Sequence, residues 1–151
     1  MIRALLASVA VLAAAGPAHA VQVCAWMDET IGEGDYHELE LWLETDGKAD
    51  VLYKIKGDGL RTENMQAHAP NSGTLVLHPR RPSKPWGFGA SLSPPGDIDV
   101  IVELRAWPKD IFSDEETPLL ASFTFKRHVP EGETQPPKTF ATRQCAALKA
   151  P

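Results

Sequence analysis

From Glu38 to Glu44 the chain reads Glu-Leu-Glu-Leu-Trp-Leu-Glu, placing Leu39, Leu41 and Leu43 on one face of an extended strand. Val51 to Lys56 repeats the pattern, with Val51, Tyr53 and Ile55 sharing a face. Thr45-Asp46-Gly47-Lys48-Ala49 lies between them and is rich in turn formers, which predicts a β-hairpin. The register that keeps the faces separate pairs Leu39 with Ile55, Leu41 with Tyr53 and Leu43 with Val51. It also sets Glu40 against Lys54 and Glu38 against Lys56, and accepts one like-charge pair, Glu44 with Asp50. In that register Trp42 meets Leu52, leaving an apolar spot on a charged face that a second element should cover.

A longer hairpin is predicted further on. Ile98, Val100, Val102, Leu104 and Ala106 alternate with mostly polar neighbours, as do Leu119, Ala121, Phe123 and Phe125. Their connection, Pro108 to Pro118, is acidic. Thr74–His78 and Phe88–Leu92 read as short strands, and Val21–Met27 and Thr139–Cys145 as terminal ones. His78 to Gly87 holds Pro79, Pro82 and Pro85, so it cannot be a central strand and reads as an exposed, partly polyproline-like loop. Pro130–Pro137 is a turn-rich connector. Short strands joined by turns predict an all-β fold: a small antiparallel β-sandwich of immunoglobulin-like architecture, with a small closed barrel as the alternative.

The first twenty residues change the picture. Arg3 supplies a positive start, Ala4–Ala15 is apolar except at Ser8, Gly16-Pro17 ends the run, and Ala18-His19-Ala20 fits a signal-peptidase cut. The run falls short of the roughly 20 residues that span a bilayer. Residues 1–20 are therefore expected to be a signal peptide and residues 21–151 a single periplasmic or secreted domain with no transmembrane segment. Lipidation at Cys24 is disfavoured because Val23, not a small residue, precedes it.

The whole chain carries a net charge of −5, and losing Arg3 makes it more negative. That field argues against nucleic acid or anionic lipid as a partner recognised through overall charge. In an oxidising compartment the two cysteines, Cys24 and Cys145, are expected to pair. The closed loop of roughly 120 residues would then stabilise the fold by about 4–5 kcal/mol on the chain-entropy estimate.

Candidate chemistry is sparse. Gly87-Phe-Gly-Ala-Ser91-Leu-Ser93 lacks the Gly-x-Ser-x-Gly spacing of a nucleophile elbow. His37, His68, His78 and His128 make no His-x-His or His-x-x-x-His pair. Met65 and His68, with His78 folding back, offer thioether and imidazole ligands suited to copper. The acidic run Asp28–Asp35 does not match the spacing of a helix-loop-helix calcium site and reads as a solvated loop. A carboxylate pair for glycoside cleavage cannot be picked out from spacing alone. Trp26, Trp42, Trp86 and Trp107 are candidates for a stacking platform. The most distinctive segment is Arg80-Arg81-Pro82-Ser83-Lys84-Pro85-Trp86, three cations and an indole in an acidic chain, and Arg and Trp are favoured at binding hot spots.

The leading expectation is an exported, non-catalytic β-sandwich that binds a protein or cell-envelope component through loops, with Arg80, Arg81, Lys84 and Trp86 as contact residues and no cofactor. The alternatives are a periplasmic copper-binding protein using Met65, His68 and His78, and a small hydrolase whose site assembles only in three dimensions.

Overall fold

The computed structural model describes residues 19–63, 66–67, 71–91, 95–110, 112, 114–133 and 143–150. The signal peptide predicted over residues 1–20 falls, apart from its last two residues, outside them. The strands are β1 (Gln22–Ile31), β2 (Tyr36–Thr45), β3 (Ala49–Thr62), β4 (Gln66–Ala67), β5 (Asn71–Leu77), β6 (Ser83–Ser91), β7 (Gly96–Ala106), β8 (Leu119–Val129) and β9 (Gln144–Ala147). A one-turn 3-10 helix, Glu33–Asp35, links β1 to β2. Among the described residues, no helix is long and apolar enough to cross a membrane.

The strands form two antiparallel sheets packed face to face, the predicted sandwich; no closed barrel is present. The first sheet has the order β6-β2-β1-β9; the second runs β4-β3-β7-β8, with β5 also paired to β3. Period-two alternation sends one side of each strand inward. Val23, Ala25 and Met27 of β1 and Leu39, Leu41 and Leu43 of β2 face Val51 and Ile55 of β3, Val100 and Val102 of β7, and Phe123 and Phe125 of β8, all buried. Burying such a side chain fully is worth about 1.5–3 kcal/mol. β3 carries Ile55 and Leu60 inward although they lie five residues apart. A bulge between Lys56 and Gly59 makes that switch of parity. Gly57 sits there at φ 104°, and a Cβ on it would lie 2.5 Å from the Asp99 carbonyl oxygen, so only glycine fits.

The second predicted hairpin is present as β7 and β8, with Val100 opposite Phe125, Val102 opposite Phe123 and Leu104 opposite Ala121. The first is not. β2 pairs with β1 and β6, β3 pairs with β4, β5 and β7, and the turn between β2 and β3 crosses from one sheet to the other. Leu39, Leu41 and Leu43 therefore meet Val51 and Ile55 across the core rather than beside them. Backbone and side-chain bonds tie this turn to β1: Asp46 N–H donates to the Gln22 carbonyl at 3.2 Å, and Gln22 N–H donates to Asp46 Oδ1 at 2.8 Å.

The proline segment also departs from expectation, because Ser83–Ser91 is a strand. It lies at the edge of the first sheet, and a register shift opposite Leu41–Leu43 accommodates Lys84 and Pro85, so the missing proline donor breaks no ladder. Cys24 and Cys145 form the expected disulfide. They face each other on neighbouring strands of one sheet, Cys24↔Cys145 in the β1–β9 register, rather than bridging the two sheets.

Candidate functional site

The two ends of the sandwich differ in chemistry. At one end the inward parity of three strands continues into charge: Glu29 follows Met27 on β1, His37 precedes Leu39 on β2, and Arg127 follows Phe125 on β8. Glu29 and His37 are 1% and 0% exposed. His37 Nδ1 lies 2.6 Å from Glu29 Oε1, so that nitrogen carries the proton and donates it to the carboxylate. Arg127 donates to both oxygens of Glu29, from Nε at 2.7 Å and Nη2 at 3.1 Å, and to both oxygens of Glu133. Burial pushes the Arg127 pKa down, but the hydrogen bonds and charges of Glu29 and Glu133 outweigh it and hold the pKa above the ordinary arginine value. A carboxylate orienting an imidazole is half of a catalytic triad. Here His37 Nε2 is buried with no hydrogen-bond partner among the described residues, so none of them stands as a nucleophile hydrogen-bonded to it. The cluster joins β1 and β2 of one sheet to β8 of the other. Read as sequence, Glu29 fell in a solvated acidic run; in fact β1 continues through it to Ile31. The available signal was parity, since all three charges sit on inward positions at strand ends.

The outer face of the first sheet gathers two of the tryptophans. Trp26 and Trp42 are direct cross-strand partners with ring centroids 6.3 Å apart and planes 7° from parallel. Lys84 lies 5.9 Å from the Trp42 ring centre and Arg143 lies 4.9 Å from that of Trp26. Each cation also pairs with a neighbouring carboxylate, Lys84 with Glu40 and Arg143 with Glu44. Hydrogen bonding and charge from Glu40 raise the Lys84 pKa. The indole faces are thus occupied by each other and by cations, which leaves no flat platform for a sugar. The expected Trp42–Leu52 spot does not form, because Trp42 pairs with Trp26 in the first sheet while Leu52 lies in the second.

The Arg/Trp/Pro segment is divided. Trp86 is 5% exposed and stacks near Phe88 in the core, so it presents no contact surface. Lys84 belongs to the ladder just described. Arg80 and Arg81 are exposed, on a turn in which Arg81 N–H donates to the His78 carbonyl at 3.3 Å and Arg80 N–H donates to the Thr45 carbonyl at 2.9 Å. Arg80 has φ 59°, a conformation that costs a non-glycine residue roughly 1–2 kcal/mol. Pro79 before it and the positive φ fit a type II turn, whose third position favours glycine. Arg80→Gly is expected to keep the fold and raise the thermal midpoint by a few degrees, measured by differential scanning calorimetry; a drop would show that the side chain stabilises the turn. Of the proposed copper ligands, Met65 and His68 lie outside the described residues, and His78 is exposed at the start of this turn. Among the described residues no group of three or more His, Cys, Asp or Glu side chains is arranged to hold a metal ion.

The Thr45 end of β2 belongs to the opposite pole of the sandwich, and there a cleft of about 790 Å³ opens between the ends of the two sheets. Val21 and Leu148 line it from the first sheet; Ala49, Val51, Ala106 and Leu120 line it from the second. Trp107, 41% exposed, and the loop residues Pro108–Asp110 and Glu115–Pro118 form its rim. A register shift in β8 opposite Leu104–Arg105 turns Leu120 as well as Ala121 inward, which carries apolar surface to the cleft floor. Arg105 anchors the loop: it donates to Thr117 O at 2.6 Å and pairs with Glu116 at 2.8 Å and with Glu103 at 2.8 Å. Burial would raise the Glu103 carboxyl, but Lys56 and Arg105 together hold it below the usual carboxylate range. Leu148 N–H donates to the Val21 carbonyl and Lys149 N–H to the Leu120 carbonyl, fixing the C-terminal wall. In the sequence the Pro108–Pro118 connection shows only as an acidic segment, with no local sign of the cleft behind it.

A two-sheet antiparallel sandwich with a ligand-sized apolar cleft at one pole is the class these features define. No family model, no curated protein and no solved structure matches the chain.

Proposed function

We propose that this is an exported, non-catalytic binding module whose ligand-contacting end is the pole formed by the β2–β3 turn, the β7–β8 loop and the segment after β9. Export rests on the signal-like residues 1–20, and the Cys24–Cys145 disulfide fits an oxidising compartment, periplasmic or extracellular. The observation that carries the binding reading is the cleft. Its volume falls within the range of small-molecule sites, about 300–1,000 Å³. Its floor is apolar, and an aromatic side chain stands at its rim.

The neutral fluorophore N-phenyl-1-naphthylamine tests the cleft. It is expected to bind saturably at one site with micromolar Kd. Trp107→Ala and Ala49→Phe, the second filling the cleft, are each expected to weaken binding about tenfold. Absence of saturable binding, or indifference to both substitutions, would refute the assignment. A second reading is supported by Arg80, an exposed cation kept in a conformation that favours glycine: a protein or envelope component docks on Arg80 and Arg81 at the same pole.

A further inference from the structure

The cations of this chain are unevenly paired. Lys56, Arg61, Lys84, Arg105, Lys126, Arg127 and Arg143 each form an ion pair. Among the described lysines and arginines, those without one are Lys48, Lys54, Arg80, Arg81, Lys109 and Lys149. Lys54 apart, these all lie at the cleft pole. Lys48, Lys109 and Lys149 line the cleft itself, and all three are exposed. Arg80 is bonded through its backbone to Thr45, three residues before Lys48.

The acids at the same pole are engaged differently. Glu116 pairs with Arg105, Asp110 Oδ1 accepts the Phe112 N–H at 2.9 Å, Asp46 accepts from Gln22, and Glu115 also has a partner. Asp50 and Asp114, both exposed, are the exceptions. The rim therefore offers uncommitted donors, while most of its acceptors are already used. In a chain whose net charge is −5, retaining unpaired cations around an apolar cavity is the arrangement that complements an anionic head on an apolar body.

We infer that the cleft takes a single-chain anionic amphiphile, with the chain against Ala106, Leu120 and Leu148 and the head among Lys48, Lys109 and Lys149. This rests on the cleft being the binding site. Burial of the chain supplies the affinity, and the lysines fix orientation and select the sign of the head. The apolar floor is recessed between the sheet ends, so a chain reaches it and a planar bilayer does not.

Dodecanoate, dodecanol and dodecyltrimethylammonium, each below its critical micelle concentration, are to be titrated against the full-length mature protein by displacement of N-phenyl-1-naphthylamine. Dodecanoate should displace the probe at least tenfold more effectively than dodecanol, and dodecyltrimethylammonium least of all. The triple variant Lys48→Gln/Lys109→Gln/Lys149→Gln should keep the wild-type far-ultraviolet spectrum and melting temperature, which shows that the fold is intact, and should lose the preference for dodecanoate over dodecanol. Equal displacement by dodecanoate and dodecanol overturns the anionic assignment and leaves the cleft reading standing, as does a preference for the ammonium compound. Failure of the probe and all three chains to bind overturns both. Co-sedimentation with phosphatidylglycerol vesicles without binding of monomeric dodecanoate overturns the single-chain assignment in favour of a membrane surface.

Discussion

Arg127→Met is expected to lower the unfolding free energy by about 3–5 kcal/mol, the cost of leaving a buried charge without its partner. Arg127 meets both oxygens of Glu29, and the Glu29 side chain has no exposed surface through which water could take its place. The substitution removes the charge and both donors while keeping most of the side-chain volume. Glu29 would retain only the hydrogen bond from His37. The measurement is urea denaturation followed by circular dichroism, with the slope compared against the wild type to show that the same surface is exposed. A loss under about 1 kcal/mol, the worth of an exposed pair, would show that the pair is solvated. The triple replacement Glu29→Met/His37→Phe/Arg127→Met should recover much of the loss, because an apolar cluster of similar size needs no desolvated charge. Recovery would identify the cluster as a costly device retained for fixing how the two sheets face each other.

Removing the disulfide is expected to have an effect of similar size. Cys24 and Cys145 are 121 residues apart, and the chain-entropy estimate for such a loop is about 4–5 kcal/mol. The double variant Cys24→Ala/Cys145→Ala should therefore melt on the order of 10–20 °C lower than the oxidised protein, measured by scanning calorimetry. A local consequence separates this from a general loss of stability. β9 is four residues long, lies at a sheet edge, and is followed directly by Leu148 and Lys149 of the cleft wall. Without its covalent tie, this strand should fray before the rest unfolds. Probe binding in the cleft should then weaken at temperatures where the far-ultraviolet spectrum is still native. Unchanged melting and unchanged binding would show that β9 is held by its ladder and backbone bonds alone.

These two elements lie in different parts of one architecture. The charged staple closes one pole from inside. The disulfide holds the outer edge of the first sheet, beside the Trp26–Trp42 ladder and its flanking cations. The opposite pole is left open, floored by apolar side chains and ringed by unpaired lysines. A scaffold closed firmly at one end and along one face can present a cleft at the other without that cleft carrying the stability of the fold.

The sequence by itself determined β2, β3, β7 and β8 and which side of each turns inward, the β7–β8 hairpin, the disulfide pairing and the two-sheet class. All of these follow from local alternation, turn chemistry and cysteine count. It could not determine that β2 and β3 part company. Leu39, Leu41 and Leu43 bury the same face whether Val51 and Ile55 lie beside them in one sheet or opposite them across the core, so alternation cannot choose between the two. It placed Arg80 and Arg81 on an exposed turn, yet sent Trp86 outward with them, because a proline beside an edge-strand bulge looks the same in sequence as a proline in a loop. Inward parity marked Glu29, His37 and Arg127, but charge at those positions is tolerable only when the partners meet, and they come from strands 98 residues apart. The cleft was the least legible feature. Its walls are Val21, the Lys48–Val51 turn and strand, the loop after Ala106, and Leu148–Lys149, brought together only by the packing of two sheets. No local pattern encodes a space between distant segments; the tertiary structure alone decided it.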